Sequence, residues 1–415
     1  MIGMKKYLCA ALILALLLSM TALVGCREKE PEVPKVDLLL AEDMLSADKA
    51  YVKLEGRYDY TAPNGSNPGR INLYHTASGF TVQFTGTALY VEFYSEITGN
   101  SGKHYPYYNV AVDDEVLPTA AENRTFCLTG GQQRITIVEG LPYGEHTVKC
   151  LKMSEPYDAL TSIVLMETDG GFIERDTDYD AGNFRFMFVC ASGGSGHGSL
   201  GYSENGGSLG RTTANSSSLH AFNYLTARMF DADVQFVANS GWGVSYPKGR
   251  SIWDVLDYSG ITTSNNVSGA QTTALWNHQQ WIPDVIIFNI GGNDTTADGF
   301  DKTTYQKEAV QLVKRLHELY PKAYMIWTHT NSNAGKYAVS ALTDAGIMKQ
   351  SYIQAAIIPK VGADGTVGAN NHNSIATHIA TADILKDTLV QVWGFTPVRD
   401  NISVEAYTHI LEKFG

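Results

Sequence analysis

The hydrophobic pattern of the chain changes near residue 180, and this change requires a fold with two parts. From residue 50 to about residue 170, the sequence consists of short β-branched or aromatic segments of alternating polarity, such as GFTVQFTG and ALYVEFYSE. Turn signals such as Pro63-Asn64-Gly65 separate the segments, and no helical period of useful length occurs between them. The pattern predicts a β-sandwich of the jelly-roll type, which we place at residues 47–172.

Beyond residue 184, continuous apolar runs alternate with helical stretches. The apolar runs cover residues 184–189, 234–238, 285–290 and 323–327, and the helical stretches cover residues 218–230, 305–320 and 374–392. Strands that are apolar on both faces are typical of a parallel sheet that helices cover on each side. The second part is therefore predicted to be an α/β domain over residues 180–415, with three α/β/α layers around a parallel sheet.

The first 26 residues have the pattern of a targeting segment. Two lysines at positions 5 and 6 precede an apolar stretch over residues 7–18, which is too short to span a bilayer with margin. The segment closes with Leu23-Val24-Gly25-Cys26, which resembles a bacterial lipobox and implies cleavage before Cys26 and a diacylglycerol on its thiol. An ordinary signal peptide or an N-terminal anchor is the alternative. We expect an extracytoplasmic, membrane-anchored lipoprotein in which residues 27–46 form a tether from the lipid.

Composition excludes two classes of protein. Of the 415 residues, 44% are hydrophobic and 18% are charged, which excludes intrinsic disorder over most of the chain. The formal net charge is -12 and no run of basic residues offsets it, so we expect no nucleic-acid partner.

The five cysteines are too few for a disulfide scaffold. Cys127 and Cys150 lie in neighbouring strand-like segments, so a disulfide between them is one option. Cys190 lies in the apolar run of residues 186–190. We interpret it as a small, buried hydrophobic side chain rather than a reactive thiol.

Polar groups follow the apolar runs at the points where each strand is expected to end. Ser192 comes after the first run, Gly241 after the second and Asn293 after the third, while His372 opens the last long helix. Sites in open parallel sheets form beyond the carboxyl ends of the strands, so we expect these residues to meet. They supply what acyl transfer needs, because a serine attacks, a histidine takes its proton, and amide and N–H donors stabilise the oxyanion.

The ordered series of these four residues resembles the four sequence blocks of SGNH hydrolases. With the predicted sandwich in front of it, the series resembles carbohydrate esterase family 2, in which an N-terminal jelly roll precedes an SGNH domain that deacetylates sugars. Gly144-Glu145-His146-Thr147, Lys152-Met153-Ser154-Glu155 and Trp281-Ile282-Pro283-Asp284-Val285 look like further segments of that family. The resemblance implies a flavodoxin-like parallel sheet and a reaction that needs no metal or organic cofactor.

The resemblance also implies a role for each residue. Ser192 is expected to be the nucleophile, and His372 is expected to be its general base. The backbone N–H groups of Ser192 and Gly241, with the side-chain amide of Asn293, are expected to form the oxyanion hole. Trp242 could line the acyl pocket or pack in the core, and we predict the pocket.

Three departures from the family pattern affect the predicted site. Gly-Asp-Ser becomes Cys190-Ala191-Ser192, Gly-Thr-Asn-Asp becomes Gly291-Gly292-Asn293-Asp294, and Ala369 and Asn370 stand where an acidic residue is expected. A neutral amide orients an imidazole poorly. We therefore predict that a backbone carbonyl near the start of the last helix orients His372.

Two other histidines receive structural interpretations. His197 is interpreted as a solvated loop residue, because the glycines that flank it would hold a base poorly. His378 is interpreted as structural, because no His-Glu-x-x-His pattern or other metal-ligand spacing accompanies it.

These observations support functional hypotheses of different classes. The first is a serine esterase that acts outside the cytoplasm and removes O-acetyl groups from carbohydrate through an acyl-enzyme. The second is a non-catalytic glycan-binding lipoprotein derived from an esterase, because the acidic residue is missing and the serine block is altered. A lipid or thioester hydrolase is a third interpretation of the same residues.

Overall fold

Antiparallel strands build the N-terminal part of the protein, and a parallel sheet builds the C-terminal part. The computed structural model describes residues 36–46, 50–97, 104–119, 121–156, 158–176, 184–201, 203–204, 209–245, 250–261, 273–400 and 402. The targeting segment, Cys26 and most of the expected tether lie outside these residues. Within them, no helix has both the length and the apolar character that a membrane span requires.

The N-terminal strands form two antiparallel sheets. The strands are β1 (Leu38–Leu40), β2 (Val52–Glu55), β3 (Tyr58–Thr61), β4 (Arg70–Leu73), β5 (Gly79–Gly86), β6 (Leu89–Ile97), β7 (Tyr107–Val112), β8 (Thr125–Cys127), β9 (Gly131–Val138), β10 (Gly144–Lys152), β11 (Ala159–Thr168) and β12 (Gly171–Phe172). One sheet has the order β3-β4-β11-β6-β9, with β1 paired to β11. The other has the order β12-β5-β10-β7-β8, with β2 paired to β5. A short helix, α1 (Ala41–Met44), and a 3₁₀ helix (Glu122–Arg124) accompany them.

The two sheets pack face to face because their strands alternate in polarity. In β5, Phe80, Val82 and Phe84 are fully buried, and less buried residues alternate with them. Between the sheets, the ring centroids of Phe93 in β6 and Tyr108 in β7 lie 5.2 Å apart. The N-terminal part is therefore a β-sandwich, while its jelly-roll type stays a prediction.

The first strand corrects the expected extent of the tether. Residues 38–44 were assigned to a linker, but β1 pairs with β11 and α1 follows it directly. Leu39, Ala41 and Met44 are buried. The apolar residues of this segment thus add a strand to the sandwich, and the fold begins about ten residues earlier than the pattern predicts.

The sequence left a disulfide between Cys127 and Cys150 as an option, and the structure excludes it. Cys127 lies in β8 opposite Tyr107, and Cys150 lies in β10 opposite Val110, so β7 separates the two cysteines. Two strand spacings amount to about 10 Å, which exceeds the roughly 7 Å between Cα atoms that a disulfide can bridge. Both cysteines are free. Cys190 is fully buried, as predicted, and burial raises the pKa of its thiol.

The C-terminal part alternates strands and helices. Its strands are β13 (Arg185–Cys190), β14 (Ser203–Glu204), β15 (Asp233–Ala238), β16 (Val285–Asn289), β17 (Tyr324–His329), β18 (Ile353–Ile357) and β19 (Thr366–Val367). Its α-helices are α2 (Ser192–Ser195), α3 (Phe222–Met229), α4 (Lys302–Leu319), α5 (Asn333–Asp344) and α6 (Ile375–Trp393). Short 3₁₀ helices cover Ser218–His220, Ile252–Asp254, Asp294–Thr296, Ile347–Lys349 and Ala369–Asn371.

Five of these strands form the parallel sheet that the apolar runs predict. Its order is β15-β13-β16-β17-β18, which is the flavodoxin order when the strands are counted along the chain. In β13, Phe186 and Phe188 pack on the face that α3 and α6 cover, whereas Met187 and Val189 pack on the face that α4 and α5 cover. The sheet is therefore buried on both faces between helices, with β14 and β19 forming a separate antiparallel pair.

Buried polar contacts join the sandwich to the parallel sheet. Arg57, which is fully buried, donates to Gln235 Oε1 at 3.0 Å and to the backbone oxygens of Leu256 and Tyr258 at 2.7 and 2.8 Å. Lys53 in β2 donates to Asp233 in β15 at 2.7 Å. The two parts thus share an interface in which buried charges are paired or hydrogen-bonded.

Candidate active site

Ser192 follows the carboxyl end of β13, an inner strand of the parallel sheet. The order of the strands reverses between β13 and β16, and ligand sites of doubly wound sheets form at such a reversal. Ser192 begins the four-residue helix α2, so its backbone N–H has no acceptor within that helix. The side chain is half-buried. Its hydroxyl and N–H therefore lie at the edge of the sheet where ligand sites of such folds form.

Gly241 and Asn293 reach the same edge of the sheet from the ends of β15 and β16. Gly241 has a φ of 81°, in the left-handed region that favours glycine. In the described part of the chain, its N–H donates no hydrogen bond to protein. The Nδ2 of Asn293 donates to the carbonyl of Trp242 at 2.7 Å. That bond fixes the amide while leaving its second N–H for an oxyanion.

A buried carboxylate holds these two loops together. Asp294, which is fully buried, accepts from the backbone N–H groups of Val244 at 2.9 Å and Ser245 at 2.6 Å. Burial raises the pKa of the Asp294 carboxyl, although the hydrogen bonds oppose this effect. Two of the predicted oxyanion donors are therefore fixed relative to each other by bonds between their loops.

The structure places the Trp242 side chain in the core, which corrects the predicted pocket position. The side chain is 3% exposed and packs in the hydrophobic cluster that includes Val237 and Ile252. Trp242 contributes to the site through its carbonyl, which accepts from Asn293. An exposed aromatic side chain and a buried one give the same sequence signal after a strand, so the pattern alone did not separate them.

The carbonyl predicted to orient His372 is that of Asn370. The Nδ1 of His372 lies 2.9 Å from the Asn370 oxygen, so Nδ1 donates and Nε2 remains the acceptor that a general base uses. Asn370 has a φ of 55°, which asparagine tolerates better than most residues. Burial lowers the pKa of His372 to about 4. The imidazole is therefore neutral at pH 7, the form that can accept a proton.

His197 is buried rather than solvated, and this corrects the sequence interpretation. Its side chain packs on the predicted general base, with 4.4 Å between the ring centroids of His197 and His372. Its backbone N–H donates to the Ser192 carbonyl at 3.2 Å. Among the described residues no hydrogen bond joins Ser192 Oγ to His372, and His197 contacts both residues.

The glycines that flank His197 turn its loop inward. Gly196 and Gly198 have φ values of 77° and 65°. A Cβ on Gly196 would lie 2.0 Å from the Ser217 oxygen, and a Cβ on Gly198 would lie 2.3 Å from the Ala369 oxygen. These glycines therefore permit a close approach of the backbone, and His197 is buried as a result. The sequence pattern had instead indicated a loosely held loop.

Glu155 reaches the site from the β-sandwich, in the loop that follows β10. The side chain is 1% exposed, and its Oε1 lies 2.8 Å from His197 Nδ1. Its Oε2 accepts from the Ser240 backbone N–H at 2.9 Å and from the Ser240 hydroxyl at 2.6 Å. Burial raises the pKa of this carboxyl, but His197 and Arg211 more than offset that effect and lower it below its usual value. Glu155 is therefore ionised at neutral pH.

The cluster of Ser240, His197 and Glu155 is not a second catalytic triad. In a triad the serine and the acid bind opposite nitrogens of the imidazole. Here Ser240 Oγ and Glu155 Oε1 both lie 2.8 Å from Nδ1 of His197. The Ser240 hydroxyl donates to Glu155 instead, and Ser240 is buried. The cluster thus supports the neighbouring residues Gly241 and His372 rather than attacking a substrate itself.

A cleft of about 180 Å³ opens beside Ser192 and Asn293. Its lining also includes the polar side chains of Asn289, Thr328 and His329. The Nδ2 of Asn289 donates to Thr328 Oγ1 at 2.9 Å, so the wall is held in place. A small cleft with partly polar walls suits a short acyl group or a sugar better than a lipid chain.

His378 is structural, as predicted. It is 1% exposed, its Nδ1 accepts from the Phe222 N–H at 3.2 Å, and burial lowers its pKa to about 3. Across the residues that the structure describes, no three His, Cys, Asp or Glu side chains are arranged to hold a metal ion.

Residues 55–174 match the family model described as carbohydrate esterase 2 N-terminal. The β-sandwich is therefore similar to the N-terminal domain of carbohydrate esterase family 2. This match covers the strands from β3 to β12 and includes Glu155. The resemblance that the sequence motifs suggested is thus supported independently for residues 55–174.

Curated relatives extend the similarity into the second half. The chain is 24% identical over 374 residues to "Cellulase/esterase CelE" of Acetivibrio thermocellus, with 83% of this chain and 40% of that protein aligned. It is 27% identical over 226 residues to "Acetylxylan esterase / glucomannan deacetylase" of Cellvibrio japonicus, with 48% of this chain and 57% of that protein aligned. The chain therefore spans about half, or less, of the length of these relatives.

A solved structure shares the fold of both parts. It is described as a family two carbohydrate esterase from Clostridium thermocellum in complex with cellohexaose. The superposition has a TM-score of 0.67 and 21% sequence identity, and it covers 83% of this chain and 100% of the other. This protein therefore has the two-part fold of that carbohydrate esterase.

Proposed function

We propose that this protein is a serine esterase that removes O-acetyl groups from carbohydrate through an acyl-enzyme. One observation carries the proposal. The imidazole of His372 is held by the Asn370 carbonyl with its proton on Nδ1, while Ser192, Gly241 and Asn293 stand together at the carboxyl edge of the sheet. This arrangement supplies a base, a nucleophile and oxyanion donors for acyl transfer.

The reaction takes two steps. In the first, Ser192 Oγ attacks the acetyl carbonyl while Nε2 of His372 takes the hydroxyl proton. The N–H groups of Ser192 and Gly241 and the amide of Asn293 bind the oxyanion, and the ester C–O bond then breaks as His372 protonates the departing sugar oxygen. In the second, His372 takes a proton from water, the hydroxide attacks the acyl-enzyme, and acetate leaves as Ser192 regains its proton.

The carbohydrate substrate is inferred from the relatives and from the cleft. The curated relatives carry names for cellulase/esterase, acetylxylan esterase and glucomannan deacetylase activities. The cleft of about 180 Å³ beside Ser192 has partly polar walls, which fits an acetylated polysaccharide or oligosaccharide. The sandwich is proposed to have the jelly-roll connectivity of this class of enzyme.

The protein is proposed to act outside the cytoplasm, held at a membrane by a lipid on Cys26. The lysines, the short apolar stretch and the lipobox-like Leu23-Val24-Gly25-Cys26 support this location.

The competing proposal is a glycan-binding protein that does not hydrolyse its ligand. The absence of an acidic residue at positions 369 and 370 and the change of Gly-Asp-Ser to Cys190-Ala191-Ser192 favour it. The preserved base, nucleophile and donors favour catalysis, since these groups supply most of the rate in such sites.

Acetate release from a panel of acetylated glycans, and turnover of 4-nitrophenyl acetate, separate the two proposals. We expect the wild-type protein to release acetate and Ser192→Ala to lose activity by about 10³-fold or more, with a nearly unchanged melting temperature. Ser195→Ala is the matched control, because Ser195 lies in the same helix but donates to the Ala191 carbonyl at 2.9 Å. Glycan binding without turnover by the wild type would favour the non-catalytic protein.

A further inference from the structure

The chain lacks the acidic residue expected before His372. A buried carboxylate, that of Glu155, is separated from His372 by the ring of His197. We propose that Glu155, from the β-sandwich, supplies through His197 the negative charge that stabilises the His372 imidazolium during ester hydrolysis. This inference rests on the proposed esterase function. It makes Glu155 a positioning residue that replaces the missing acid from the other domain.

The contacts form a continuous path between the two groups. Glu155 Oε1 lies 2.8 Å from Nδ1 of His197, and the ring of His197 packs on that of His372 at 4.4 Å between centroids. Glu155 and His197 are 1% and 7% exposed, so water screens their interaction little. A charge in this position acts on His372 more strongly than a surface charge would.

Arg211 pairs more closely with Asp158 than with Glu155. Arg211 donates to both carboxylate oxygens of Asp158, while its Nη2 lies 3.6 Å from Glu155 Oε1. Since Asp158 takes the bidentate pairing of Arg211, the charge of Glu155 is only partly neutralised.

Asn370 contacts the nitrogen of His197 that faces away from Glu155. The Nδ2 of Asn370 lies 3.3 Å from Nε2 of His197. Nδ1 of His197 faces Glu155, while Nε2 faces the Asn370 amide. His197 therefore lies between a carboxylate and His372, with both of its ring nitrogens in contact with polar partners.

The groups around His372 shift its pKa in opposite directions. Burial lowers the pKa of His372 to about 4, and His197 and Arg211 act in the same direction. Glu155 and the Asn370 carbonyl raise this pKa, and His378 faces His372 from α6. A base with so low a pKa gains little from taking a proton, so a nearby negative charge increases its effectiveness.

Glu155→Gln tests the proposal in the full-length protein. Removing the charge should lower kcat by about tenfold with little change in KM, because the charge acts when the imidazolium forms. It should also lower the pKa of His372 by about one unit. The kcat/KM profile needs neutral His372, so its acidic limb should move to lower pH. NMR titration of the His372 ring measures the same shift without turnover.

Two further variants separate charge from structure. Glu155→Asp keeps the charge and should retain the wild-type pKa of His372 within about 0.3 unit, even where packing suffers. Ser240→Ala removes a hydroxyl that donates to Glu155 but leaves the carboxylate, so it too should retain that pKa.

An unchanged His372 pKa in Glu155→Gln would overturn the proposal, whatever the activity. Absent turnover by the wild type would overturn the proposed function alone, because the NMR titration still decides whether Glu155 acts on His372. A lowered pKa together with a lowered kcat supports both.

Discussion

Asn370 serves the site with its backbone and with its side chain. Its carbonyl accepts from Nδ1 of His372, and its amide contacts Nε2 of His197. The φ of 55° that directs the carbonyl is shared by the next residue, Asn371. Because the carbonyl belongs to the backbone, it survives a change of side chain at position 370.

We therefore expect Asn370→Ala to lower kcat/KM by less than about tenfold, or ~1.4 kcal/mol, whereas His372→Ala should cost far more. Steady-state kinetics on an acetyl ester measure both. Asn371→Ala is the control, because it places alanine at the same φ on an exposed residue. A loss in Asn370→Ala close to that of His372→Ala would contradict the carbonyl assignment and make Asn370 a third catalytic residue.

The sequence predicted some of these residues and missed others for a physical reason. A serine after a buried strand and a histidine before a long helix are local patterns, and Ser192 and His372 lie at those positions. Glu155 and His197 are 42 residues apart in the sequence and meet only because the sandwich packs on the sheet. No local pattern contains that packing, so His197 was assigned to solvent.

At the scale of elements, the strands and helices with strong periodicity were predicted to within a few residues. The apolar run at 285–290 corresponds to β16 (Val285–Asn289), and the helical stretch at 305–320 corresponds to α4 (Lys302–Leu319). Helix α5 was not predicted, because Gly335 and small residues weaken its pattern. A Cβ on Gly335 would lie 2.3 Å from the Cβ of His329, so this glycine lets α5 approach β17.

The loop after β15 sets the position of one oxyanion donor through the φ of Gly241. Gly241→Ala should strain the loop by about 1 kcal/mol and lower kcat more than it raises KM, because the N–H acts on the oxyanion. Gly394→Ala is the matched control, since Gly394 has a φ of 72°, ends α6 and has no atom within 4 Å of a new Cβ. Equal losses of kcat in the two variants would show that the N–H of Gly241 does not stabilise the oxyanion.

At the scale of the whole molecule, the proposed lipid on Cys26 determines the location of the protein. Cys26→Ser should move the protein from the membrane fraction to the soluble fraction, or block its maturation, because the anchor is lost. Fractionation and intact-mass measurement check this. Cys9→Ser changes another cysteine of the same segment and should leave the protein at the membrane. Intact wild-type protein in a soluble extracellular fraction, without added lipid mass, would count against the anchor.

The position of Glu155 limits how such a protein can evolve by recombination. A gene fusion that joined the α/β part to a different sandwich would leave His197, Ser240 and Arg211 facing a missing carboxylate. Unpaired buried donors and a buried guanidinium are costly, so few exchanges of this kind would yield an active product. The two parts are therefore expected to be inherited together, and substitutions at position 155 should be accompanied by substitutions at position 197.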